Sequence, residues 1–184
     1  MRRPLGLLLL PLSLLLALAL TACGDDDRRG RDGGDGGETT IDFTSLENVQ
    51  WREDLGCGLG FGTVDSGGYF RLTVHHTGDR AGSLPRSVEL PDPEWEAEVV
   101  SGKHLAANWC NDVILEPEAE VAKTWQLVEG TLTFDGPIPP LSSPSKPLEA
   151  RATLTGIVVE DADGERTAMA DVSLHNGQWG FFAG

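Results

Sequence analysis

The chain has 184 residues, with 14 Lys and Arg against 29 Asp and Glu, a formal charge of −15. That balance argues against nucleic acid as a partner and against electrostatic attraction to anionic lipid, since both need a basic surface. The residues after position 40 have the length of one ordinary domain.

Arg2 and Arg3 open the chain, and an apolar run follows from Leu5 to Leu20, interrupted by Gly6, Pro11 and Ser13. Residues 1–22 therefore have the layout of a secretory signal peptide. The run also approaches the ~18–20 residues a spanning helix needs, so its end must decide. There the chain reads LTAC, Leu20 to Cys23: a leucine, two small residues and a cysteine. This stretch resembles the lipobox of bacterial lipoproteins. The resemblance implies cleavage before Cys23, a diacylglyceryl thioether on its sulfur, and a further acyl chain such as palmitate on the new amine. Two or more chains anchor a protein stably where one is marginal. The expectation is a lipoprotein of the cell membrane, held on its extracytoplasmic face. Loss of Arg2 and Arg3 with the leader leaves 12 basic against 29 acidic residues, a charge of −17.

Residues 24–40, GDDDRRGRDGGDGGETT, contain no apolar side chain. Such a segment cannot bury enough surface to offset its ordering entropy. With Cys23 it reads as an acidic, Gly-rich tether, and a 17-residue coil of this kind spans on the order of 20–25 Å. The domain proper is expected at 41–184.

Within it the hydrophobic period is two almost throughout, and no stretch sustains a helical period over three turns. Strands are predicted at Ile41–Leu46, Gly56–Val64, Tyr69–Thr77, Ser87–Leu90, Trp95–Ser101, His104–Cys110, Thr124–Leu127, Gly130–Phe134, Ala150–Glu160, Thr167–His175 and Gln178–Phe182. Turn residues separate them, notably DSGG at 65–68, DADGE at 161–165 and NG at 176–177. Many short strands at this spacing predict an all-β domain, an antiparallel sandwich or a small barrel. Likeness to an immunoglobulin domain is architectural only. That fold wants a Trp soon after its first cysteine and a Tyr two before its second, and position 108 here is Asn108. With Cys23 lipidated, Cys57 and Cys110 are an even pair in an exported domain, and a disulfide is the natural reading.

Several motifs suggest chemistry and lose it in context. GCGLGFG at 56–62 lacks G-x-G-x-x-G in every frame, and no helix pattern follows to meet a phosphate. As a strand it sends Cys57, Leu59 and Phe61 to one face and leaves a bare glycine face on the other. DSGG resembles the nucleophile turn of chymotrypsin-like proteases, but every histidine follows Ser66, in the wrong order for that family. SPSK, Ser143 to Lys146, matches the S-x-x-K of penicillin-recognising enzymes in a proline-rich loop rather than at a helix start. DADGE lacks the sixth-position glycine and twelfth-position glutamate of a calcium loop.

Two surfaces stay open. Trp109 beside a glycine-faced strand, with Gly58 and Gly60, would make a stacking platform for a sugar ring or peptide. The row Glu94, Glu96, Glu98 would hold a divalent cation weakly if a second carboxylate row, Glu116, Glu118 and Glu120, lay on a neighbouring strand. No cofactor, metal or catalytic residue is assigned. The expected function is a non-enzymatic envelope module that binds or supports another envelope component. The alternatives are a glycan- or peptide-binding domain, or a small carboxylate-dependent hydrolase.

Overall fold

The computed structural model describes residues 42–79, 82–107, 109–110, 116–142 and 146–181, all within the compact unit Thr40–Gly184. The leader, Cys23 and the tether lie outside the described residues. No helix occurs among those described. Nine strands do: β1 (Trp51–Asp54), β2 (Gly60–Asp65), β3 (Phe70–His76), β4 (Ser87–Leu90), β5 (Trp95–Lys103), β6 (Glu120–Asp135), β7 (Leu148–Asp161), β8 (Arg166–Ala168) and β9 (Val172–Trp179). Every strand pairing is antiparallel. The order is β1-β2-β3-β5-β6-β7-β8, with β4 also on β6 and β9 also on β7.

The long strands β6 and β7 explain the curvature. In β6, Trp125 and Leu127 point inward, and then Gly130, Leu132 and Phe134 do. In β7, Ala150, Ala152 and Leu154 give way to Ile157 and Val159. Each sequence switches parity once, so each strand must carry an extra residue to keep its apolar side inward. The register shifts on either side of Glu129 supply it, and Gly156 takes φ +61 beside them. The bent pair then serves two layers: β6 pairs β5 with its first half and β4 with its second, while β7 pairs β9 and then β8. At the far side the end of β9 returns to the segment before β2. Gly58 bridges Trp179, its N–H donates to the Phe181 carbonyl at 3.1 Å, and its carbonyl accepts from Gly180 N–H at 2.7 Å. The sheet thus curls into a nearly closed barrel.

Inside, Phe61, Phe134, Trp95 and Trp179 form an aromatic cluster with centroids 5.3–6.1 Å apart. Large apolar side chains buried this fully contribute roughly 1.5–3 kcal/mol each. The loop after β6 covers the cluster: Leu141 is buried, and Trp179 Nε1 donates to the Pro140 carbonyl at 3.0 Å. Ser143 of the SPSK motif lies outside the described residues.

Four expectations are corrected. Residues 42–50 form turns, beginning where Asp42 accepts the Thr44 N–H at 2.8 Å, and the first strand starts at Trp51. Residues 104–107 and 109–110 are turns rather than a strand, because His104 (φ 56) and Cys110 (φ 61) are left-handed and leave the pleat. Thr124–Leu127 and Gly130–Phe134 are one strand, divided in the pattern by the parity switch. Asn176-Gly177 is not a hairpin turn. β9 runs through it, with a register shift opposite Leu148–Ala150, because Asn176 is fully buried and spends its side chain on the backbone of residues 58–60. By contrast DSGG is the β2–β3 turn, its Asp65 carboxylate accepting from Gly67, Tyr69 and Phe70 N–H at 2.6–2.9 Å. DADGE is the β7–β8 turn, with Asp161 accepting from Asp163 and Glu165 N–H at 3.0 and 2.9 Å.

Candidate functional site: a groove on the outer face of the sheet

The strict alternation of β3 buries Phe70, Leu72, Val74 and His76 and sends Arg71, Thr73 and His75 outward. Register then assembles the outer face rung by rung. Gly60 lies opposite His75, and His75 opposite Glu96. Gly62 lies opposite Thr73, Thr73 opposite Glu98, and Glu98 opposite Gln126. Gly60, Thr73, His75, Glu96, Glu98 and Gln126 form the floor of a groove of about 510 Å³, within the ~300–1,000 Å³ of small-ligand clefts. Trp109 and the Cys57–Cys110 disulfide wall one side.

The wall is held by several independent contacts. After β5 the chain turns back over β2, with Leu105 fully buried at the start of the loop. Arg71 Nη1 donates to the Leu105 carbonyl at 3.1 Å, and its guanidinium lies 5.2 Å from the centre of the Trp109 ring, within cation–π range. The disulfide fixes the far end, with Cα atoms 5.8 Å apart. Burial pushes the Arg71 pKa down while Glu98 opposes the shift, and the guanidinium remains a cation at neutral pH. Arg71 Nε and Trp109 Nε1 are both buried and have no hydrogen-bond partner among the described residues.

The glycines of GCGLGFG are covered by the chain itself. A Cβ at Gly56 would overlap Asn176, and one at Gly60 would lie 3.0 Å from the His75 ring. At Gly62 it would meet the Leu55 carbonyl at 2.6 Å and Trp109 Cζ2 at 3.0 Å. The missing side chain at Gly62 is therefore what lets the Trp109 ring lie down on β2. Gly58 has φ +55 and interrupts the alternation. Leu59 and Phe61 are buried as expected, whereas Cys57 is only half-buried and turns toward Cys110 along the groove.

Of the residues singled out in the sequence, Gly60, Trp109, Cys57, Cys110, Glu96 and Glu98 all line this groove. Gly58 does not; it closes the barrel on β9. Glu94 sits in the turn before β5, against Gly78. The second carboxylate row is displaced along the sheet, since Glu120 pairs with Lys103 whereas Glu98 pairs with Gln126. Among the described residues no group of three His, Cys, Asp or Glu is placed to hold a metal ion. Arg71, Thr73, His75 and Gln126 complete the groove and were not singled out. The alternation of β3 marks the first three as one polar face, but only pairing sets them beside Glu96 and Glu98.

A second polar cluster straps β1 to β7 and β9. His175 Nδ1 lies 3.4 Å from Asp54 and its Nε2 3.1 Å from Glu149, which also pairs with Arg151. The bond from Arg151, with help from His175, holds the Glu149 carboxyl below its usual value. Its members lie on an exposed or half-exposed surface, and they are read as a seam between strands.

The described residues of the chain thus form an all-β, disulfide-pinned, nearly closed barrel with a polar groove on one outer face. No family model, curated protein or solved structure matches the chain.

Proposed function

We propose that this protein is a non-enzymatic, lipid-anchored module of the cell envelope that binds another envelope component in the groove walled by Trp109. The resemblance of Leu20–Cys23 to a lipobox supports the extracytoplasmic address. One observation supports binding above the rest. An aromatic ring is held over a strand glycine by a disulfide and an arginine, beside a floor of polar side chains that a purely structural sheet face does not need. Titrating the full-length protein in detergent with saccharide and peptide fragments of envelope polymers tests the reading. At least one class should shift tryptophan emission saturably, and the shift should vanish in Trp109→Ala. No response to either class refutes it. For the anchor, mass spectrometry of the membrane-extracted protein should find Cys23 as an acylated N-terminus; an unmodified Cys23 refutes that part.

Glu96 and Glu98 keep a second reading in view. They lie two residues apart on one strand face and both line the groove, a spacing of about 6.6 Å along the strand, within reach of paired-carboxylate hydrolysis. Release of new reducing ends from a glycan, abolished in Glu98→Gln, would favour it over simple binding.

A further inference from the structure

We infer that the ligand of the groove is a neutral, hydroxyl-rich ring compound, an oligosaccharide lying with one ring against Trp109. The inference rests on the proposal that the groove binds, and adds the chemistry of what it binds.

The lining argues by exclusion first. Glu96 and Glu98 stand on the floor of a chain whose formal charge is −15, so two carboxylates against the single Arg71 cation, together with the net charge, repel an anionic ligand. A compact cation would suit the two carboxylates, but Arg71 already places a cation on the Trp109 ring at 5.2 Å, and a second positive charge there would be repelled. A peptide recognised through its backbone needs an open strand edge. Here the groove lies on a sheet face, and β2, β3, β5 and β6 are paired with one another beneath it.

What remains fits hydroxyl groups. A hydroxyl both donates and accepts, and the floor offers acceptors in Glu96 and Glu98, a donor in Arg71, and side chains able to do either in Thr73, His75 and Gln126. Carboxylates accepting from hydroxyls make charge-assisted bonds, stronger than neutral ones. The indole offers the apolar plate on which the C–H face of a sugar ring is desolvated. Arg71 Nε and Trp109 Nε1 are buried donors without partners among the described residues, and leaving such donors unmet is costly. A small outward shift of the indole on binding would let a ligand oxygen meet one of them.

The experiment uses the full-length protein in detergent micelles, with calorimetry and tryptophan emission. The probes are neutral tetrasaccharides (of glucose, N-acetylglucosamine and xylose), a galacturonic acid tetramer, a glucosamine tetramer and uncharged tetrapeptides. At least one neutral tetrasaccharide should bind saturably and more tightly than both charged sugars, with no peptide binding. Affinity should fall about tenfold, or 1.4 kcal/mol, in Trp109→Ala and in Glu98→Gln, and stay within about threefold in Trp109→Phe, which keeps a plate. Circular dichroism melts show whether each variant is folded. If Trp109→Ala is not, Glu98→Gln and Gln126→Ala carry the test, and unchanged affinity in both overturns the inference. Preference for a charged sugar or a peptide, lost in the Trp109 variant, overturns the inference and leaves the groove as a binding site. Saccharide binding that ignores both Trp109 and Glu98 overturns both, as does binding of none of the probes.

Discussion

Replacing Asn176 by alanine removes the side chain that closes the barrel. Asn176 is fully buried in β9. Its Nδ2 donates to the carbonyls of Gly60 at 2.6 Å and Gly58 at 3.3 Å, and its Oδ1 accepts the Gln178 N–H at 2.7 Å. The Gly58 carbonyl keeps a second donor in Gly180 N–H at 2.7 Å, so its loss is small. The other two bonds are short and their partners are left unmet, at about 1 kcal/mol for each net bond plus part of a ~1–3 kcal/mol desolvation penalty. The sum is about 3 kcal/mol, a large share of the ~5–15 kcal/mol that holds a domain together. At about 2–4 °C per kcal/mol for a domain of this size, the melting midpoint should fall by about 6–12 °C. Urea unfolding followed by circular dichroism and by tryptophan emission measures the loss directly, with the slope unchanged. A loss under about 1 kcal/mol would refute the idea that this side chain holds the closure. Asn176→Asp sharpens the test. It keeps the acceptor for Gln178 but turns a carboxylate toward two carbonyls, which raises the folded-state pKa above the unfolded value of about 3.9. The charged form is then disfavoured on folding, so the variant should come nearest wild type at pH 4 and fall behind as pH rises toward 7.

Replacing both Cys57 and Cys110 by serine should cost about 4 kcal/mol in the chain-entropy account, given their separation of 53 residues; tryptophan emission should also move to the red as Trp109 leaves Gly62, and an unmoved spectrum would mean that the disulfide does not hold the wall. Burial first, and then His75, holds the His76 pKa below its usual 6.5 against the pull of Glu94 and Asp92; the unfolded chain therefore takes up the proton first. The stability this confers should be complete above about pH 6.5 and decline as pH falls through that value, and urea midpoints from pH 5 to 8 should lose that slope in His76→Phe. Lys123, 2.7 Å away, and the turn N–H groups hold the Asp161 carboxyl below its usual 3.8; its contribution is present above that value and lost on further acidification. In Asp161→Ala the amides of Asp163 and Glu165 should exchange faster while that of Leu154 stays protected, and equal protection throughout would count against the turn being held by this side chain.

How much was legible depended on whether the signal was local. Alternation in Phe70–His76 and Ser87–Leu90 places both strands almost to the residue, because one buried face makes a slip of one position costly. The DADGE turn is likewise readable from Asp161 and Gly164, which supply the acceptor and the positive φ that the turn demands. The segment of residues 104–107 and 109–110 was not legible as turns. Its alternating apolar residues imitate a strand, and the disulfide and the Arg71–Leu105 bond that hold it come from far along the chain. Asn176-Gly177 reads as a turn in the sequence, yet it is strand, because burial against residues 56–60 outweighs local turn preference.

By itself the sequence determined the all-β class and the polar outer row of β3, since each follows from period two, and it pointed to the Cys57–Cys110 pair once Cys23 is set aside for the lipid. It could also narrow GCGLGFG to a glycine face awaiting a cover. Tertiary structure decided what covers it: Asn176 at Gly56, His75 at Gly60, and Leu55 with Trp109 at Gly62. It also decided that Arg71, Glu96, Glu98 and Gln126 line one groove with that tryptophan. The reason is register. Which residues stand side by side across four strands depends on how the bends in β6 and β7 bring the sheet around, and that is a property of the whole curled sheet rather than of any one stretch.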